Sequence, residues 1–214
     1  MQMADMVICL TNSLIWIKKD FNERKINIMA KYGVVETTKI TEPCFDVKAT
    51  VDVENGWVVK KGDIATGEKA IYKAEVPAAT DEVYLAANPA WDYNDSSIIN
   101  QNEENFINKS GKPFRVYALK KDNLFAVLDY SITDNTTLAV GDYIGVDGTT
   151  MKLKDLGTSD PGSTAFMGKV IDITEYGFAY CTGTAGNVGA TGKKVTIEVV
   201  RNTEIGRASC RERV

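Results

Sequence analysis

The residues best spaced for chemistry lie between Asp92 and Glu103. Counted from Asp92, side-chain oxygens fall at positions 1, 3, 5, 9 and 12 (Asp92, Asn94, Ser96, Asn100 and Glu103), with Ile99 at position 8, the layout of a helix-flanked calcium loop. Position 6 of such a loop is glycine, because the chain must turn sharply there, and this sequence has Ser97. Pro89 also stands in the stretch that would have to form the incoming helix. The segment therefore reads as the capped start of a short helix with a polar face, and no metal is assigned to it.

Two further constellations fail on similar grounds. Gly183, Gly186, Gly189 and Gly192, followed by Lys193, suggest a loop whose amides could cradle a phosphate. A nucleotide-binding loop needs glycine where Asn187 stands and Ser or Thr where Lys194 stands, so the tract reads as a connecting loop that could reach a neighbouring subunit. Glu103 and Glu104, close to Trp91 and Tyr93, contain the ingredients of a glycosidase. Adjacent carboxylates on a helix point apart, however, so they cannot face each other across a sugar. The chain has no histidine, which removes Ser-His-Asp and Cys-His nucleophiles and His-ligated zinc. The expectation is a protein with no catalytic residues and no cofactor or metal.

Composition agrees with a binding or structural role. The 214 residues carry 25 Lys+Arg against 29 Asp+Glu, and the basic residues form no stripe, which argues against nucleic acid as a partner. No apolar run is long enough for a membrane helix, and no membrane partner is expected. Of the four cysteines, Cys9 and Cys210 sit near the ends. Cys44 and Cys181 read as isolated thiols in a reducing compartment, not as a bridge.

The elements that must position these residues follow a period of two. Phe45, Val47, Ala49, Val51 and Val53 alternate with polar residues, as in a strand with one wet face. Asn55-Gly56 then supplies a turn, and Trp57-Val58-Val59 is expected to return as the hairpin partner. Further short apolar runs at 70–76, 82–87, 114–119, 124–132, 143–146, 150–153, 166–174, 178–181 and 195–200 predict strands, with Asp147-Gly148 as a turn between two of them. The fold class expected is all-β, a mainly antiparallel sandwich or barrel, with one short helix around residues 95–109, whose apolar face would carry Ile98, Ile99, Phe106 and Ile107.

The two ends read differently from the middle. Residues 204–214 (EIGRASCRERV) match the translation of a common sequencing adapter and are expected to be an adapter-derived tail. Residues 1–28 join a short apolar run to a charged stretch and are expected to be an upstream extension or arm, with Met29 as the start. Between them the expected order is a β subdomain at 29–90, a helical connector at 91–111 and a second β subdomain at 112–203.

Four phrases carry a family likeness: the opening Met29 to Lys39, Val53 to Gly56, Asn105 to Lys112, and Val140 to Gly148. Together they resemble small tailed-bacteriophage virion proteins of the head-decoration or capsid-associated kind. The likeness implies a β-rich, non-enzymatic protein of the virion, made in the bacterial host cytoplasm. It further implies a homo-oligomer bound to the phage major capsid protein. Residues 30–40 could then pair with a capsid sheet edge or exchange between protomers, or simply form the first strand. Trp57, Trp91 and Tyr93 are the candidate contact residues, because aromatics dominate interface energies. The alternative reading is an adhesin or carbohydrate-binding β module of a phage or bacterial surface.

Overall fold

The structure, a computed structural model, describes residues 35–40, 44–89, 106–176 and 192–203, all within one compact unit, Lys31–Val214. Among the described residues the alternating segments form twelve strands: β1 (Glu36–Lys39), β2 (Cys44–Lys48), β3 (Val58–Ile64), β4 (Tyr72–Glu75), β5 (Tyr84–Ala86), β6 (Pro113–Ala118), β7 (Leu124–Leu128), β8 (Ile132–Thr133), β9 (Tyr143–Val146), β10 (Leu153–Gly157), β11 (Phe166–Tyr176) and β12 (Gly192–Asn202). Five of them close a barrel in the order β2-β4-β3-β5-β6. The other seven form a sheet in the order β1-β7-β12-β11-β9-β10-β8. Every pairing is antiparallel except β2 with β4 and β8 with β10. The all-β expectation holds, in the form of one barrel and one sheet.

The two bodies are not successive halves of the chain. β1 joins a sheet otherwise built from residues 124–202, and β6 closes a barrel otherwise built from residues 44–86. Residues 90–105, most of the expected helix, lie outside the described residues. Its last residues, 106–109, are not helical: Asn108 forms an isolated antiparallel bridge with Val53.

The expected hairpin across Asn55-Gly56 is overturned. The turn exists, but β3 pairs with β4 and β5, while β2 pairs with β4 and β6. The reason is local. Gly56 has φ +88°, and its amide donates to Ala86 O at 2.8 Å, which sends the chain toward β5 instead of back along β2. A Cβ on Gly56 would also stand 3.0 Å from Ser131 Oγ, so both conformation and space demand glycine there.

The start of β3 and the end of β5 are buried on both faces. Val59 and Ala86 point into the barrel with Val47, Phe114 and Val116. Val58 and Leu85 point the other way, into a larger core with Phe125, Val127, Ile144, Leu153, Phe166 and Ile197 of the sheet. Polar clips reinforce the contact. Asn202, at the end of β12, accepts from Val83 N at 3.0 Å and donates to Val83 O at 2.8 Å and Leu119 O at 2.9 Å. Its side chain thus behaves like one more strand residue beside the barrel.

Leu85 is fully buried in this shared wall. Leu85→Ala is expected to lower the unfolding free energy by about 2–5 kcal/mol. In urea, tryptophan fluorescence and far-UV circular dichroism should shift together in a single transition. Two separated transitions would mean that barrel and sheet unfold independently.

Candidate functional site

Trp57 is half-buried and packs against the barrel core, with the Lys152 ammonium 5.4 Å from its ring centroid. Lys152 also donates to Tyr130 O at 3.2 Å, so the tryptophan lies at the junction of barrel and sheet. Its indole N–H is buried and meets no hydrogen-bond acceptor among the described residues. Trp91 and Tyr93 lie outside the described residues, as do the whole calcium-like segment 92–103, Glu104, Cys181 and the glycine tract except for Gly192 and Lys193. Those two open β12, where Tyr176 of β11 pairs with Gly192. Cys44 is exposed and carries a free thiol.

The barrel surface holds two grooves that the sequence did not single out. The first opens where the parallel strands β2 and β4 part. They pair only at Val47↔Tyr72 and Lys48↔Lys73; beyond that, residues 50–51 bend away. The gap, about 620 Å³, is floored by the buried Ala49, Ala65, Ala74 and Met151 and rimmed by Val51 and Val76. These two valines are 50% and 44% exposed and stand together over the apolar floor. Val51 continues the alternation that buries Val47 and Ala49, and only the bend places it outside. Lys48, Lys73 and Glu75 add a polar margin, as at a protein interface with an apolar centre and a charged rim.

The loop beneath this groove is pinned from one side. Asp52 accepts from Ser110 N at 2.8 Å and Lys109 Nζ at 3.2 Å, and Ser110 Oγ donates to Thr50 O at 2.7 Å. The Ser110 amide, followed by the Lys109 ammonium, holds the Asp52 carboxyl below its ordinary range. The bend that displays Val51 is therefore fixed by hydrogen bonds.

The second groove, about 520 Å³, is polar: Lys60, Lys61, Asp63, Glu75, Asp81 and Glu82 line it beside Tyr84. Around this barrel mouth Phe45 meets Tyr84 and Tyr72 edge to face, with ring centroids 5.0 and 5.7 Å apart. The Lys61 ammonium caps them, 3.8 Å from the Tyr72 centroid and 4.8 Å from that of Phe45. Gly62 permits the strand to pass Glu75 closely, since a Cβ there would stand 2.6 Å from the carboxylate oxygen. Among the described residues no group of three or more Cys, Asp or Glu could hold a metal ion.

No protein-family model matches the chain, and no curated protein and no solved structure matches it either.

Asp81 gives the polar groove a measurable signature. Burial pushes its carboxyl up, but the Ala78 amide and the Lys60 ammonium, at 2.9 and 3.0 Å, outweigh that and hold it below 3.8. A lowered carboxyl stabilises the fold above its ordinary value, and that contribution is lost as pH falls through the folded value. Asp81→Asn is thus expected to reduce stability at neutral pH by no more than about 1 kcal/mol, because solvent screens a pair whose lysine is 39% exposed. In urea titrations the difference from wild type should shrink as pH falls below the ordinary carboxylate range.

Proposed function

We propose that this chain is a non-enzymatic structural protein of a tailed-bacteriophage virion that attaches to the major capsid protein and works in many copies as a homo-oligomer. The observation that carries the reading is the apolar groove between β2 and β4, with Val51 and Val76 held outward over a floor of small buried residues. Such a surface suits attachment, where a few desolvated apolar side chains supply most of the binding energy. Shell stabilisation needs no reacting group, only buried area repeated over many identical sites, so that modest contacts sum. Two of the phrases that resemble decoration proteins meet in space: Val53 bridges Asn108, and Asn108 Nδ2 donates to Asn55 Oδ1 at 3.1 Å. Their part in the likeness is to hold the barrel wall that carries the groove.

The polar groove beside Tyr84 favours a second reading, a carbohydrate-binding β module, because carboxylates, ammonium groups and an aromatic ring converge there. Glycan-array binding abolished by Tyr84→Ala and untouched by changes at Val76 would support it over attachment.

The attachment reading is tested by mixing the full chain with empty shells assembled from the major capsid protein of the same phage. Saturable, stoichiometric co-sedimentation is expected at micromolar protein. The double variant Val51→Asp, Val76→Asp should weaken it by roughly tenfold or more while leaving the circular dichroism spectrum unchanged. No binding by the wild-type chain would overturn the proposal.

A further inference from the structure

The chain contains one Asn-Gly pair, Asn55-Gly56, and the fold places it at the junction of the two cores. In an open chain this dipeptide is prone to cyclise: glycine has no side chain to hinder attack by its own backbone nitrogen on the preceding side-chain amide. We propose that Asn55-Gly56 is a latent deamidation site, silenced by the fold, whose conversion in an opened chain makes the opening irreversible.

The silencing is visible at every reacting atom. The nucleophile would be Gly56 N, and its N–H is donated to Ala86 O at 2.8 Å. The electrophile would be Asn55 Cγ, and both polar atoms on that carbon are engaged. Asn55 Nδ2 donates to Asn88 O at 2.8 Å, while Oδ1 accepts from Asn88 N at 3.0 Å and Asn108 Nδ2 at 3.1 Å. Asn55 as a whole is 5% exposed, so water has little access. Moving Cγ toward Gly56 N would break three hydrogen bonds in a buried place, and reaction waits on local opening.

Once open, the step is balanced with water as the only co-reactant. A bond forms between Gly56 N and Asn55 Cγ, the Cγ–Nδ2 bond breaks, and ammonia leaves with the proton given up by Gly56 N. Water then adds to either carbonyl of the cyclic imide and cleaves its bond to nitrogen, giving an aspartyl or an isoaspartyl residue. Neither product fits the site. A carboxylate at position 55 has no proton to donate to Asn88 O and would be a charge among buried groups. The isoaspartyl form adds a methylene to the backbone between the Val53–Asn108 bridge and the Gly56–Ala86 hydrogen bond, whose spacing is fixed. The native amide thus distinguishes a chain that has stayed folded from one that has opened for long.

The test uses the full chain at mildly alkaline pH, with and without urea, and follows the mass gain of amide-to-acid conversion in the tryptic peptide Ala49–Lys60. Conversion is expected to be more than about tenfold faster in urea than in buffer. After dilution from urea, the fraction that regains native near-ultraviolet dichroism should retain the amide, and the converted chains should remain in the non-native fraction. Equal rates in the two conditions would overturn the silencing. Full refolding of converted chains would overturn the irreversibility.

Discussion

The structure depends on a short stretch of wall with no wet face, Val58–Val59 of β3 beside Leu85–Ala86 of β5. β3 and β5 carry Val58 and Leu85 toward the sheet and Val59 and Ala86 into the barrel, all within 0% exposure. A strand with one face in each of two cores cannot slip by a residue without exchanging both sets of side chains, so its register is doubly fixed. β5, only three residues long, pairs with both β3 and β6, and its Leu85 and Ala86 are each buried in a different core. The barrel, with its short strands, gains from the sheet a large part of the burial that a lone unit of its size would lack.

Polar side chains close the wall where strand pairing stops. Asn202 meets Val83 as a strand would and reaches Leu119 O, while Asn55 does the same toward Asn88 from the other side. Both use a carboxamide, the one side chain that copies the donor and acceptor of a peptide group, to satisfy backbone at a point where no further strand fits. This satisfies buried backbone that would otherwise cost stability. Arg201 complements them with donations to Thr164 O at 2.8 Å and Asp160 Oδ1 at 3.0 Å, anchoring the segment that leads into β11.

Alternation made the strands legible in the sequence, because a residue's face depends only on its neighbours. Segments 143–146, 166–174 and 195–200 fall inside β9, β11 and β12, and Asp147-Gly148 does turn between β9 and β10. Pairing was not legible. Asn55-Gly56 announced a turn, but whether the chain then joins β2 or β5 is decided by Ala86 O and by the space beside Ser131, both far away in sequence. The grooves were hidden for the same reason: the apolar one is assembled from residues near 50, 65, 75, 110 and 151, none of which carries a motif. Aromatic content pointed to Trp57 as a candidate contact residue, and the structure sets it half-buried against the barrel with Lys152 over its ring. Val51 shows the limit of the pattern: it continues the alternation that buries Val47 and Ala49, yet it ends up 50% exposed.

On the attachment reading, that exposure bears on how a docking groove can coexist with a stable barrel. The inward positions beside the gap are the small residues Ala49 and Ala74, both buried in the barrel core. Small residues leave room, and the strands part after two pairs. The volume withheld from the interior reappears as an open groove whose rim valines are held outward by the Asp52, Ser110 and Thr50 hydrogen bonds. Because those bonds fix the bend before any partner arrives, docking there would cost little further ordering of the loop. On the attachment reading, the packing deficit of one barrel seam and the binding capacity of the surface are the same physical feature.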